Sequence, residues 1–258
     1  MDSILENLSS NGALTLTLNR PDKLNALNQE TLLSLEDILN KAKNNRAVKG
    51  LIITGAGKAF CAGADLNELN RADTLTGYEF ALLGQRVFQT LESLGKPSLA
   101  LVNGFALGGG CELLQACTIR IASIDAKFGQ PEVKLGVIPG YGGTQRLARL
   151  VGKGRALDLC LTGKIIDANC ALAFGLVTEV IAKEELLPRG EALMTSLLAL
   201  APLAQDAIMS VINQGYDLPL ADALKLEALH FARLCATKDK AEGVKAFLEK
   251  RQANFSGA

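Results

Sequence analysis

Residues 102–132 read VNGFALGGGCELLQACTIRIASIDAKFGQPE. A short apolar run meets three consecutive glycines, Gly108, Gly109 and Gly110, which lead into CELLQAC, a stretch with helical character. Strand, tight turn and helix in succession are the unit of a layered α/β fold. Glycine lets a backbone turn sharply and approach a ligand closely. The first turn of a helix presents N–H groups without partners and a positive dipole end. This turn is therefore suited to receive an oxygen that is gaining negative charge. Glu112 falls in the helix's first turn, and Glu132 follows in FGQPE, directly after Pro131. A donor-lined turn with two carboxylates is a candidate proton-transfer site. Ordinary turns and ordinary helix-start acids share these features, so spacing alone leaves both readings open.

The rest of the chain extends the same pattern. Asn11-Gly12 is a turn signal before ALTLTL (13–18), whose alternation predicts a half-buried strand in an opening hairpin. Asn28 can cap a helix with Leu32, Leu35, Ile38, Leu39 and Ala42 on one face. Residues 48–54 predict a strand, 55–65 a glycine-rich loop, 77–94 a helix, and 98–102 and 119–123 two more strands. Strand, loop and helix in repetition argue for α/β layers with parallel strands. From Gly142 onward helices dominate: 142–151, 154–161, 167–173, 185–200, 202–213, 220–235 and 239–251, with a last strand at 176–181. A soft boundary is expected near residue 195, dividing a 1–195 core from a helical 196–258 region.

A chain of 258 residues is ample to bury a core, and 48 % hydrophobic content argues against disorder. The 27 basic and 27 acidic residues cancel, so no nucleic-acid or membrane-surface partner is expected. No run of about 18 apolar residues is present to span a bilayer, and MDSILENLSS lacks the basic start and apolar run of a signal peptide. Cys61, Cys111, Cys117, Cys160, Cys170 and Cys235 form no C-x-x-C pair, so no metal site is expected. These features together lead to an expectation of reduced thiols and a cytoplasmic protein. His230 is the single histidine and lies in a helical stretch. A Ser-His or Cys-His mechanism would have only this candidate, so proton transfer falls to carboxylates, Lys, Tyr or Cys.

Nucleotide motifs fail. Gly55-Ala56-Gly57 follows a strand, but the third glycine of a dinucleotide fingerprint would fall at Phe60. Lys58, Lys96, Lys153 and Lys164 follow glycines, but Ala59, Pro97, Gly154 and Ile165 stand where a P-loop needs Ser or Thr. No G-x-S-x-G elbow is present.

RPDKLNALN (20–28), KAFCAGADL (58–66), VNGFALGGGCEL (102–113), FGQPEVKLGVIPGYGGTQRL (128–147) and AFGLVTEV (173–180), in this order, resemble the enoyl-CoA hydratase (crotonase) family over nearly the whole chain. The resemblance implies a spiral of repeated ββα units and a C-terminal helical region for trimerisation. Trimers would pair into hexamers, and the terminal helices would help complete a neighbour's ligand pocket. It implies reversible addition of water to a 2-trans-enoyl-CoA, giving a 3-hydroxyacyl-CoA, with no metal or redox cofactor beyond the coenzyme A of the substrate. By resemblance, the N–H groups of Ala64 and Gly109 receive the thioester oxygen. Glu112 accepts a proton from water attacking C3, Glu132 protonates C2, and the Gly140 N–H helps hold the water. Coenzyme A is expected along Ala62, Ala64, Asp65 and Leu66, with Lys23 and Lys58 towards the phosphates. Tyr141 stands where mammalian-type relatives often carry a smaller residue, and so bears on the acyl pocket. A double-bond isomerase of the superfamily would generally retain one carboxylate, near the Glu132 position, so the presence of two favours hydration. A catalytically silent acyl-CoA-binding protein is the reading from another class.

Overall fold

The computed structural model describes residues 2–258. Strands β1 (Ile4–Leu8) and β2 (Ala13–Leu18) form the expected hairpin, with Ile4 opposite Leu18 and Leu8 opposite Leu14. Leu14, Leu16 and Leu18 point into the core. Helix α1 (Gln29–Asn44) follows, its first turn capped by Asn28, whose side chain accepts the Thr31 N–H. The apolar face read from the sequence is the buried one: Leu32, Leu35, Ile38, Leu39 and Ala42. Each such leucine contributes about 1.5–3 kcal/mol through burial.

The next three turns of the chain repeat one plan. β3 (Gly50–Gly55) and the short β4 (Ala59–Cys61) precede α2 (Leu66–Arg71) and α3 (Thr74–Glu92); β5 (Ser98–Val102) and β6 (Phe105–Leu107) precede α4 (Gly109–Gln115). β7 (Ile119–Ser123) and β8 (Lys127–Gly129) precede a 3-10 turn (Pro131–Leu135), α5 (Gly143–Val151) and α6 (Lys153–Thr162). The first strand of each pair joins one sheet and the second joins another. The larger sheet runs β1-β2-β3-β5-β7-β10 and the smaller β4-β6-β8-β9, after β9 (Ile165–Asp167), α7 (Ala168–Phe174) and β10 (Glu179–Ile181) complete the strands. The β2-β3-β5-β7-β10 pairings are parallel, as are β4-β6-β8. This is a spiral of ββα turns.

Four of the strands were not legible as strands: β4, β6, β8 and β9 have three residues each, too few to show alternation. α2 buries none of its residues and so carries no apolar stripe. α3 begins at Thr74 rather than Gly77, because Asp73 and Thr76 form a reciprocal capping box.

β3, β5 and β7 are buried on both faces, which explains their nearly unbroken apolar runs. One face packs on α1, α3 and α4. The other is covered by α8 (Leu186–Leu198), with Leu186 and Met194 against Ile52, Leu99, Leu101 and Ile121. Gly190 leaves room for Leu101, and Gly50 for Met194. Residue 195 thus lies within a helix that packs on the sheet. Beyond it come α9 (Pro202–Gly215), α10 (Leu220–Cys235) and α11 (Lys238–Leu248). No residue of α10 is buried.

Candidate active site

Gly108 is the pivot between β6 and α4. Its φ of +49° is unfavourable for a side-chain-bearing residue, and a Cβ there would lie 3.0 Å from Glu132 Oε1. The Gly108 N–H is held by the Gly129 carbonyl of β8 at 3.0 Å, so β6, α4 and the segment leading to Glu132 are tied at one point. Gly110 comes so near β4 that a Cβ would stand 2.0 Å from the Cys61 carbonyl oxygen. The three glycines therefore have separate duties: a turn, an open N–H, and a close packing contact.

The β4 strand delivers Ala62, Gly63, Ala64 and Asp65 beside this turn. Leu27 clamps them: its N–H bonds to Gly63 O at 2.8 Å and its carbonyl accepts the Asp65 N–H at 2.9 Å. The Ala64 nitrogen lies 3.4 Å from the Cβ position of Gly109, and the Gly109 nitrogen lies 3.6 Å from that of Gly63. Neither the Ala64 nor the Gly109 N–H has an acceptor among the described residues. Two open backbone donors stand side by side, one of them at a helix N-terminus, where the dipole adds positive potential.

Glu112 is 2 % exposed. Its Oε1 accepts two N–H groups, from Tyr141 at 2.8 Å and Gly143 at 2.6 Å. Gly143 is required here, since a Cβ would sit 2.8 Å from that oxygen and 2.7 Å from the Gln130 amide. Burial, and then the negative charge of Glu132, push the Glu112 carboxyl up to about 8 against the pull of the two N–H groups. Glu132, in the 3-10 turn after Pro131, is half-buried, and burial pushes its carboxyl to about 7. Gln130 is fully buried between them. Its amide orientation is assigned from its neighbours: with the NH2 turned to Glu132 it donates to Oε1 and Oε2 at 2.9 and 3.2 Å and its oxygen accepts Gln115 Nε2 at 3.1 Å, whereas the opposite orientation sets its oxygen against the carboxylate and its NH2 against the Gln115 NH2. The two carboxyls form a coupled pair that holds about one proton near neutrality.

Gly140 is fixed by its carbonyl, which accepts Gln85 Nε2 at 2.9 Å, while its N–H has no acceptor among the described residues. The Tyr141 ring fills the space between Gly84 and Gly109 and meets Phe80 and Phe88 edge-on at 5.4 and 5.7 Å. Its buried hydroxyl has no partner among the described residues.

At the other end of the loop, the Asp65 side chain is already engaged. It caps α2 through the Asn67 N–H and pairs with Arg20 at 3.1 Å. Against the cost of burial, these hydrogen bonds hold its carboxyl below the ordinary value. Only its backbone is left for a ligand. Leu66 is exposed, as are Lys23 and Lys58. A Cβ on Gly57 would lie 3.2 Å from the Pro21 Cβ, so the two lysine-bearing turns run side by side. Asn25 laces them together, donating to the Ala56 and Ala59 carbonyls.

The structure thus brings Ala64, Gly109, Glu112 and Glu132 to one point, with Gly140 adjoining and Ala62, Asp65 and Leu66 in the loop leading to it. Gln130, Gln115, Gly143 and Arg20 escaped the reading of the residues. Gln130 could have been suspected from its place two residues before Glu132; Gln115 offered no signal beyond being a polar residue on an otherwise apolar helix. A concavity of about 1420 Å³ lies between α3, residues 138–150 and α9. Gly140 and Gln115 reach it, but neither glutamate does.

Residues 9–258 match the family described as enoyl-CoA hydratase/isomerase. The chain belongs to that family. A crotonyl-CoA hydratase of Syntrophomonas wolfei is 47 % identical over 241 residues, covering 93 % of each chain. A short-chain-enoyl-CoA hydratase of Clostridium acetobutylicum is 45 % identical over 238 residues, covering 92 % of this chain and 91 % of its own. Among solved structures, an enoyl-CoA hydratase of Bacillus anthracis superposes with a TM-score of 0.96 at 35 % identity over the full length of both chains. The spiral of ββα turns is the crotonase-like fold of this family, and the two glutamates and the open N–H pair lie where its strands and helices converge.

Proposed function

We propose that this chain is an enoyl-CoA hydratase acting on short-chain substrates, adding water reversibly to a 2-trans-enoyl-CoA to give the 3-hydroxyacyl-CoA. The observation that carries this reading is the pair of neighbouring glutamates, Glu112 buried and Glu132 half-buried, beside two unoccupied backbone donors. As water attacks C3, electron density moves to the thioester oxygen, and the Ala64 and Gly109 N–H groups stabilise the enolate that forms there. Glu112 takes a proton from the water and Glu132 delivers one to C2. The net change is one water added, after a proton returns from Glu112 to Glu132. The Gly140 N–H is an additional donor for the water. No metal or redox cofactor takes part in this scheme. The names of the relatives support short acyl chains, and the Tyr141 ring, filling the volume beside Gly109, agrees with a short pocket.

In the same reading, the backbones of Ala62, Ala64, Asp65 and Leu66 hold coenzyme A, and Lys23 and Lys58 face its phosphates. Residues 1–195 carry the site and 196–258 mediate assembly into trimers or hexamers. Ile212, Tyr216, Leu220, Phe231, Phe247 and Leu248 are all more than 60 % exposed, a density of apolar surface that a second copy of the chain would cover. A cytoplasmic setting fits the six unpaired cysteines. Among the described residues, no single helix is long and apolar enough to cross a membrane.

The direct test mixes the protein with crotonyl-CoA. Loss of the absorbance of its conjugated double bond, with 3-hydroxybutyryl-CoA as product, is the expected result. Tight binding without turnover would make the chain an acyl-CoA-binding protein, and migration of the double bond from a 3-enoyl-CoA without hydration would make it an isomerase. Sedimentation should show trimers or larger at micromolar concentration. A fully active monomer would refute the assembly role of the terminal helices.

A further inference from the structure

The structure assigns Gln115 as a positioning residue for Glu132, acting through Gln130. Gln115 lies at the end of α4 and is 4 % exposed. It touches neither reacting atoms nor coenzyme A in the arrangement above. With the Gln130 amide assigned as above, its Nε2 donates to the Gln130 amide oxygen at 3.1 Å and to Cys111 Sγ at 3.4 Å, while its own Oε1 is buried without a partner among the described residues. Burying an amide with an orphaned oxygen costs stability, and an apolar side chain of the same size would avoid that cost. Such a residue needs a reason other than packing.

The reason lies in the symmetry of a primary amide. Gln130 can present either its NH2 or its oxygen to Glu132, and the two orientations have opposite effects. The NH2 donates to both carboxylate oxygens and favours the ion. The oxygen repels the ion and accepts a proton from the neutral acid. Left alone, Gln130 would follow the protonation state of Glu132. With Gln115 donating to its oxygen, Gln130 is biased to keep its NH2 towards Glu132. Gln115 thereby holds the carboxylate in one orientation and makes it a more willing proton donor to C2. The Cys111 thiol, which burial pushes up to about 12, stays neutral and supplies a second acceptor that anchors Nε2.

This role rests on Glu132 being the C2 acid, and the test separates the two claims. Gln115→Met keeps the length of the side chain without a donor. Its melting temperature should equal or exceed that of the wild type, because the orphaned oxygen is gone. Hydration of crotonyl-CoA should fall about tenfold in kcat, the scale of one hydrogen bond to a charged group, with KM nearly unchanged. The acid limb of the pH profile, set by the lower titration in which Glu132 dominates, should move up by roughly half a unit or more, since Glu132 loses a bias towards its ion. Gln130→Leu should produce the same shift, and adding Gln115→Met to it should change nothing further. Gln115→Glu, protonated in this buried position, keeps one donor and should restore the limb. An unmoved pH limb in Gln115→Met, or an equal further loss in the Gln130→Leu background, would overturn the role. If Gln115→Met does not fold, Gln115→Leu, which also lacks the donor, decides by the same readout: an unmoved limb there overturns the role. If Glu132→Gln retains wild-type hydration, the C2 assignment itself falls. An inactive Glu132→Gln beside an unaffected Gln115→Met removes only the positioning role.

Discussion

Glu112→Gln is expected to slow hydration by roughly 10²–10⁴-fold, the range for a lost general base, while the protein folds normally. The fold should survive because both N–H groups that hold Glu112 converge on one oxygen, Oε1. A glutamine keeps that oxygen and loses only the basic lone pair. Glu132→Gln should slow hydration comparably, and the two losses can be told apart with a saturated acyl-CoA. Such a ligand has C2 protons but no double bond to hydrate. In deuterated water its C2 hydrogen should exchange slowly in the wild-type site. Glu132→Gln should suppress that exchange, whereas Glu112→Gln should leave more of it. Proton NMR of the ligand gives the rate, and matched ligand affinities make the comparison fair. Equal loss in both variants would mean that the pair acts as one unit. Faster exchange in Glu132→Gln than in Glu112→Gln would mean that the roles are reversed.

The pH profile carries the same assignment. Hydration needs one ionised and one protonated carboxyl. Below the lower of the two titrations, near pH 7, both carboxyls are protonated and no base remains; above the upper, near pH 8, both are ionised and no acid remains. The rate should therefore be highest between about 7 and 8 and fall on both sides. The two values belong to the pair, since the charge of Glu132 is one of the causes that raise Glu112. In either glutamine variant one limb should disappear. A wild-type rate flat from pH 5 to about 9 would contradict the shared proton.

What the sequence could and could not convey follows from the length scale of each signal. α1 and the strands β5 and β7 were legible because five or more residues repeat a period or an apolar run, and burial enforces it. The smaller sheet was illegible from periodicity because its strands are three residues long; it entered only through family resemblance. The donor turn was legible because glycine is needed at Gly108 for backbone reasons that leave a trace in the residue itself. The Ala64 donor left no such trace: a backbone N–H can belong to any residue, and what fixes it is the clamp by Leu27, distant in sequence. The coupling of Glu112 to Glu132 was likewise suggested only by motif, because their approach depends on Gly108 and Gly143 leaving room for the two carboxyls. Gln115 lies furthest from legibility, since its meaning depends on which way a neighbouring amide faces.

Gly109→Pro is the sharpest test of the donor pair. The N–H of Gly109 begins α4 and has no intrahelical acceptor to lose, and proline is tolerated in a helix's first turn. The substitution removes the hydrogen and puts a ring methylene in its place. A fall in kcat of at least about 10²-fold is expected, the scale for one lost oxyanion donor. Crowding must be separated from donation, because any Cβ at this position meets the Tyr141 ring at 3.0 Å and the Ala64 nitrogen at 3.4 Å. Gly109→Ala supplies the control: it adds the Cβ and keeps the N–H. The ring edge must shift by a few tenths of an ångström, so a loss of less than about tenfold is expected there. Circular dichroism and sedimentation establish that both variants fold and assemble. A folded Gly109→Pro with near-normal kcat would remove Gly109 from the oxyanion site. An alanine variant as slow as the proline variant would show that the space beside Tyr141, and not the hydrogen on the Gly109 nitrogen, is what the reaction needs.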